Sequence, residues 1–158
     1  MADSSIEQLI ESFRRFPGIG PRQAQRFVYF LLRQPKTSLS NLARQIELAK
    51  DSINQCELCF RYFQFHNTKE KFCTTCEDSS RDKSIILILE KDIDFENIRK
   101  ADSYNGRYFI LGGLLSFTEK EPEKRIHINE LIKRLDENEI KEIILALNVN
   151  TEGDHTAE

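Results

Sequence analysis

Four cysteines form the clearest chemical pattern in the sequence. They are arranged as two Cys-x2-Cys pairs with thirteen residues between them, and the four residues are Cys56, Cys59, Cys73 and Cys76. Each pair can present two thiolates to one tetrahedral metal ion, and four thiolates leave no coordination position open. We therefore predict a structural Zn²⁺ site, with two disulfides or an iron–sulfur cluster as the alternatives. We expect the residues between the pairs to form a hairpin that closes the site, and His66 among them to lie at the surface.

A glycine-rich turn, residues 17–21, is the second pattern and lies between two apolar patterns with helical spacing. Glycine permits a tight turn and the close approach of a phosphate, and the amide groups that begin the second helix can hold a phosphate oxygen. This favours a helix-hairpin-helix that contacts the DNA backbone without reading bases. An ordinary helical hairpin is the alternative. The candidate DNA-binding residues are Gly18, Ile19, Gly20, Arg22 and Arg26.

Carboxylates at the ends of apolar runs form the third pattern. Glu90 closes one such run, and Glu152 and Asp154 follow another. If the runs are parallel strands, their carboxyl ends meet at one crevice, where ligands bind in open α/β sheets. Three acids there could hold Mg²⁺ for phosphoryl transfer. The alternative is that they are solvated loop residues.

Charge is distributed unevenly along the 158 residues. The net charge is −3, yet residues 14–50 contain eight Lys or Arg and a single acid, Glu47. A basic segment on an acidic chain favours a polyanionic partner, with a solvated helix face as the alternative. No apolar run is long enough for a membrane helix and no signal peptide is recognisable, so we expect a cytoplasmic protein without a membrane partner.

The elements that must position these residues divide the chain into three sections. Residues 1–54 show three apolar stripes with helical spacing, the third extending to Ile53 with Ser38 as its N-cap. Residues 55–82 contain all four cysteines. Residues 83–158 alternate strand and helix, which predicts a parallel βαβαβ sheet. Its predicted elements are strand 85–90, helix 92–100, strand 107–111, helix 129–138 and strand 142–148, with 152–158 as a loop leading into another helix.

In this order the three patterns resemble the RecR family of bacterial recombination mediators over essentially the whole chain. The matching stretches are residues 16–20, 56–76, 108–116, 145–148 and 151–154. The resemblance implies a multi-module α/β protein: a helical helix-hairpin-helix region (1–54), a four-cysteine zinc finger (55–82) and a Rossmann-like Toprim domain (83–158).

The same resemblance implies a function without catalysis in recombinational DNA repair. Members of the family act with RecO, and in some settings RecF, to load RecA onto single-stranded DNA. They form ring-like homo-oligomers that can encircle DNA, which places them at the nucleoid. The finger would be largely structural, and Glu90, Glu152 and Asp154 would contact partner proteins. Family members continue with a helix, a strand and a C-terminal segment, so we expect a fragment or an unusually short member with an incomplete Toprim sheet.

Two other functions remain open at this stage. A Mg²⁺-dependent nuclease, topoisomerase or primase would need the acids to converge on a metal, and a topoisomerase would also need a nucleophilic tyrosine. The tyrosines are Tyr29, Tyr62, Tyr104 and Tyr108, none of which has an evident base nearby. Alternatively, the finger itself could bind DNA, although its aromatic residues are more typical of a small core around the metal.

Overall fold

A computed structural model describes residues 4–67, 69–101, 103–118, 120–121, 124–136 and 140–158. The chain divides into two compact units, residues 1–51 and residues 52–158. The helices are α1 (Ser5–Arg14), α2 (Pro21–Leu32), α3 (Lys36–Ser52), α4 (Thr74–Glu77), α5 (Asp92–Ala101), α6 (Ile128–Asp136) and α7 (Thr151–Ala157). The strands are β1 (Ile53–Gln55), β2 (Tyr62–Gln64), β3 (Asp82–Leu89), β4 (Gly106–Ile110) and β5 (Glu142–Ala146).

The first unit is built on the helical hairpin of α1 and α2. A capping box between Ser4 and Glu7 starts α1, and Pro21 occupies the first turn of α2, where a missing N–H costs nothing. The two helices contact each other through Phe13 and Phe27, whose ring centroids are 5.9 Å apart. Ala24 and Val28 on α2 are fully buried. The predicted hairpin around residues 17–21 is therefore present.

Two details of the third predicted helix are wrong. Ser38 is not the N-cap, because α3 already begins at Lys36 and the carbonyl of Pro35 accepts from the N–H groups of Ser38 and Leu39. Ile53 does not continue the helix either. It begins β1, where it pairs with Gln64 in an antiparallel register.

The second unit begins with the hairpin of β1 and β2. The prediction placed a hairpin between the two cysteine pairs, but these strands flank the first pair, which occupies their turn. The Cys56 N–H donates to the Arg61 carbonyl at 2.9 Å, and the Phe60 N–H donates to the Cys56 carbonyl at 2.9 Å. Phe60 has a φ of 60°, so a non-glycine residue takes the left-handed position of this turn.

A parallel sheet in the order β4-β3-β5 follows, as the alternating pattern predicted. Alternate side chains of the central strand β3 enter separate cores on the two faces of the sheet. One core holds the buried residues Ile86, Ile88, Phe109, Leu111, Ile126 and Leu131. The other holds Leu87, Leu89, Phe95, Tyr108 and Ile110. The helix predicted over 129–138 is observed as α6, and its last two predicted residues lie outside the described part of the chain.

The segment after β5 is a helix rather than the predicted loop. The side chain of Asn150 accepts a hydrogen bond from the Gly153 N–H at 2.7 Å and so caps α7. Gly153 packs so closely that an added Cβ would lie 1.9 Å from the Asn148 carbonyl oxygen. Thr156 fastens the helix to a neighbouring loop, because its Oγ1 accepts from the Leu115 N–H at 2.9 Å.

Across the described residues, none of the helices has both the length and the apolar content needed to cross a lipid bilayer.

Candidate functional site

The four cysteine sulfurs come together in the second unit. All four Sγ atoms lie within 4.8 Å of one another, with Cys56, Cys59 and Cys73 buried and Cys76 half-buried. A tetrahedral ion with Zn–S bonds of about 2.3 Å sets neighbouring sulfurs about 3.8 Å apart. The Sγ atoms of Cys59 and Cys73 are 3.6 Å apart, and all four thiols are free of disulfide bonds. The donor set therefore fits one tetrahedral metal ion, and His66 lies outside it, exposed to solvent.

Backbone geometry positions each pair of sulfurs. The turn between β1 and β2 presents Cys56 and Cys59, and the single-turn helix α4 carries Cys76 with Cys73 at its N-cap. The two pairs are joined by the Cys73 N–H, which donates to Cys56 Sγ at 3.4 Å, and by the Glu57 N–H, which donates to the Lys71 carbonyl at 3.0 Å. The second cysteine pair is thus held against the first by backbone donors as well as by sulfur contacts.

Contacts among the four thiols shift their pKa values in different directions. The pKa of Cys56 falls to about 6, chiefly through its hydrogen bond with Cys59, and the pKa of Cys73 falls chiefly through Cys56. The pKa values of Cys59 and Cys76 are raised, in both cases first by Cys56. The four thiols therefore titrate as one interacting group, in which those with raised pKa values keep their protons longest. A bound Zn²⁺ would displace those protons, because the thiolate is the ligand.

The cysteine finger (residues 55–82) is fastened to the sheet by buried polar contacts. The Ile110 N–H of edge strand β4 donates to the Cys59 carbonyl at 2.8 Å. Arg134 of α6 is buried and donates through Nη1 to the Leu58 carbonyl. Its guanidinium also lies 6.0 Å from the centre of the Phe109 ring. The finger therefore covers the outer edge of β4, which would otherwise present an unpaired donor.

The glycine turn (residues 17–21) is exposed and uses its two glycines differently. Gly18 has a φ of 75°, which favours glycine, whereas Gly20 is extended at φ −80° and serves as the N-cap of α2. An added Cβ would meet nothing within 4 Å at either position. Half-buried Ile19 lies between them and donates its N–H to the Phe16 carbonyl at 3.1 Å. The start of α2 is thus open to a ligand, with no side chain at its N-cap.

Arg22 and Arg26 extend from α2 beside this turn and are both exposed. Arg26 Nη1 donates to Gln23 Oε1 at 3.3 Å. Both arginines line an open groove of about 830 Å³ on the outward face of α2, together with Gln23, Gln25, Phe27, Tyr29, Phe30 and Arg33. The sequence analysis did not assign the last three of these residues to the DNA-binding site. Their helical spacing from Arg22, at i+7, i+8 and i+11, was the signal that could have found them.

The three predicted acidic residues differ in their burial and in whether they line a common cavity. Glu90 is buried, with 4% of its surface exposed, and Glu152 is half-buried. These two line one cavity of about 450 Å³, the acid crevice, which Asp154 does not line. Asp154 is exposed on α7. Among the described His, Cys, Asp and Glu side chains, the four cysteines are the group gathered closely enough to hold a metal ion.

Glu90 is only partly neutralised within the acid crevice. Its Oε1 forms an ion pair with Lys91 Nζ at 2.5 Å, and this contact raises the pKa of Lys91. Its Oε2 is buried and has no hydrogen-bond partner among the described residues. Arg125, Asn148 and Asn150 line the same crevice. The crevice therefore offers one buried acceptor atom to an incoming donor.

Comparison with known proteins gives family matches at both ends of the chain. A family model described as RecR, helix-hairpin-helix, matches residues 6–50, and a Toprim domain model matches residues 84–158. A protein named Recombination protein RecR from Bifidobacterium longum subsp. infantis is 36% identical over 154 residues, covering 98% of this chain and 74% of that protein. Proteins of the same name from Dehalococcoides mccartyi (strain 195) and Prochlorococcus marinus (strain MIT 9312) are 35% and 33% identical. They cover 97% and 96% of this chain and 72% and 74% of their own lengths. Matches of this extent and identity show that the chain belongs to the RecR family of recombination proteins.

Proposed function

We propose that this chain is a recombination mediator that binds DNA without catalysis and without reading its sequence. The observation that carries the proposal is the exposed glycine turn beside Arg22 and Arg26 in a member of the RecR family. A phosphate can approach Gly20 because nothing fills the space where its Cβ would be. The first amide groups of α2 have no partner within the helix, and they can donate to that phosphate.

The arginines supply the charge for this contact. Arg22 and Arg26 lie one turn apart on the helix that follows the turn, so both guanidinium groups can reach neighbouring phosphates. Two phosphate contacts per subunit give weak binding whose logarithm falls with the logarithm of salt at a slope of about −1.8 on duplex DNA. Assembly of several subunits around one DNA molecule would multiply such weak contacts through effective concentration. This is a physical reason for the homo-oligomeric ring that the family resemblance implies.

We propose Zn²⁺ as the ion held by Cys56, Cys59, Cys73 and Cys76. Four sulfur ligands with this spacing suit Zn²⁺ and leave no position for a reacting molecule, so the ion would be structural. The cysteine finger has a core consisting mainly of Phe63 and three buried cysteines. Cross-linking by the metal is what such a small core needs to remain ordered.

We further propose that the acid crevice is a contact for a partner protein, in keeping with the RecO and RecF partners of the family. The buried, unpartnered Oε2 of Glu90 would accept from a lysine or arginine of the partner, and Glu152 would add charge at the rim. Asp154 lies outside the cavity on the exposed side of α7 and would extend the acidic surface. Joined to DNA binding, such contacts would allow RecA to be loaded on single strands.

The Mg²⁺-dependent enzyme is the less favoured function. Of the tyrosines, Tyr104 is half-buried, and desolvation raises its pKa to about 12, which opposes the phenolate that a topoisomerase needs. Tyr108 is buried in the core beneath α5.

A DNA titration with Mg²⁺ present tests the proposal. We expect a salt-dependent gel shift, and intact, unrelaxed DNA after the protein is removed. Replacing both Arg22 and Arg26 by alanine is expected to weaken binding equally for all DNA sequences. A matched control replaces Arg99 and Lys124 by alanine, because it removes two charges that are already paired with glutamates. Cleaved or relaxed DNA, or a loss confined to one DNA sequence, would contradict the proposal.

A further inference from the structure

The outward face of α2 combines positive charge with exposed aromatic rings. Arg22, Arg26 and Arg33 are exposed along this face, and Tyr29 and Phe30 lie between the second and third arginine. The rings have 52% and 61% of their surfaces exposed, respectively. We call these five residues the α2 stacking face. Neighbouring exposed apolar side chains rimmed by charged residues are typical of an interaction surface.

Helical geometry puts the five residues on one stripe. Arg22, Arg26 and Arg33 are spaced i, i+4 and i+11, with the rings at i+7 and i+8. The stripe extends for about 16 Å along the helix axis. Ala24 and Val28, which are fully buried, lie on the opposite side of α2. The rings therefore have no part in the core of the first unit.

The arginines of this face are available to an external anion. Among the ion pairs of the described residues, none involves Arg22, Arg26 or Arg33. Gln23 and Gln25, which line the same groove, are neutral and do not offset this charge. Phosphate groups are the natural complement to a row of unpaired guanidinium groups.

We propose that the α2 stacking face binds single-stranded nucleic acid. This inference rests on the proposed DNA-binding function and adds the strand state that the site prefers. The arginines would follow the phosphates, while Tyr29 and Phe30 stack on unpaired bases, a contact that any base can make. A duplex keeps its base faces stacked inside, so the rings would have no counterpart on its surface.

Charge argues against a second copy of the chain as the occupant. A two-fold contact through this face would place the same patch of both copies together. Three arginines of one copy would then face three arginines of the other, and like charges repel strongly in a desolvated interface. The same arrangement attracts a phosphate backbone, so the rings and charges together favour nucleic acid.

Binding of the whole 158-residue chain to two labelled probes tests the inference. The probes are an oligothymidine and a blunt-ended duplex hairpin of equal total charge, at one fixed salt concentration. The double variant Tyr29→Leu with Phe30→Leu keeps helix propensity while removing the aromatic faces. We expect its affinity for oligothymidine to fall about tenfold or more, and its affinity for the duplex to change by less than about twofold.

Tyrosine emission provides a second readout, because the chain contains no tryptophan. Stacking of a base on Tyr29 should quench part of the emission when oligothymidine is added, and the duplex should not do so. Tyr29→Phe is the matched control, since it retains a stacking ring but removes the fluorophore at that position. We expect this variant to bind oligothymidine as the parent chain does, with the quench lost.

The outcomes separate this inference from the proposed function. Suppose that Arg22→Ala with Arg26→Ala weakens binding to both probes. If the aromatic double variant then weakens binding to neither probe, or to both equally, DNA binding stands and the strand preference is wrong. If the parent chain binds neither probe, both proposals fail. Sedimentation of the parent and the aromatic double variant completes the test. If the parent chain is a dimer and the aromatic double variant is a monomer, the rings contact a second copy of the chain, and the inference is overturned.

Discussion

Cys73→Ser is expected to unfold the cysteine finger while leaving the first unit folded. Cys73 is completely buried, and its sulfur contacts those of the other three cysteines. The regular secondary structure of the finger consists of two three-residue strands and a four-residue helix. A hairpin of that size has marginal stability alone. Residues 1–51 form a compact unit of their own, so their helical signal should persist.

The magnitude follows from the donor set. A four-sulfur zinc site contributes about 10–16 kcal/mol in small zinc domains, whereas whole domains have net stabilities of about 5–15 kcal/mol. Loss of one buried ligand therefore removes more stabilising free energy than the finger can lose while remaining folded. The loss should extend to the sheet, because Ile110 and Arg134 both donate to carbonyl groups of the finger.

Three measurements check this expectation. Bound zinc, released by thiol modification and detected with a chromogenic chelator, should fall from one ion per chain to almost none. Limited proteolysis should cut the variant between the two cysteine pairs, and its thermal midpoint should no longer respond to chelator. Thr74→Ser, an exposed change on the same short helix, is the control and should behave as the parent chain. A Cys73→Ser chain that melts as the parent does, with or without zinc, would refute the reasoning.

The remaining predictions concern packing. Gly153→Ala should destabilise the second unit by roughly 2 kcal/mol or more, seen as a lower thermal midpoint, because the new Cβ would collide with the Asn148 carbonyl. Gly20→Ala should lower the midpoint only slightly, since the position is open and its backbone is extended, although alanine is a weaker N-cap; a large drop there would contradict the account of the turn. Arg134→Met should cost about 2–4 kcal/mol by leaving the Leu58 carbonyl unpaired, and Arg134→Lys should not restore it. A fully stable Met variant in urea unfolding would show that this contact is dispensable.

The fold was largely predictable where its cause is local. The apolar runs around Ile86 and Phe109, separated by helical patterns, predicted the parallel sheet that is observed. The α7 helix was missed because Thr-Glu-Gly-Asp has the composition of a loop. What makes it helical is the cap at Asn150 and the packing of Gly153, which depend on three-dimensional contacts.

The candidate sites likewise contain features that the sequence predicts and features that it does not. The spacing of the four cysteines was sufficient to predict that they meet, since each pair is local and one tetrahedral metal ion would need both pairs. The contact from Arg134 to Leu58 spans 76 residues, and no sequence pattern indicates it. Tyr29 and Phe30 were within reach of the sequence analysis. They were missed because charge was summed over a segment instead of being assigned to a helix face.

The end of β4 connects two sites that would otherwise be regarded as separate. Ile110 donates its N–H to Cys59 in the cysteine finger, and two residues later Gly112 donates its N–H to the carbonyl of Glu90 at 2.9 Å. A single residue, Leu111, therefore separates the residue hydrogen-bonded to Cys59 from the residue hydrogen-bonded to the buried acid of the crevice. If an ion bound by the cysteines shifts this segment, thermodynamic linkage requires that the ion and a ligand at Glu90 change each other's affinity by the same factor. Thiol oxidation at the finger would then change partner affinity at a crevice that the oxidant does not contact.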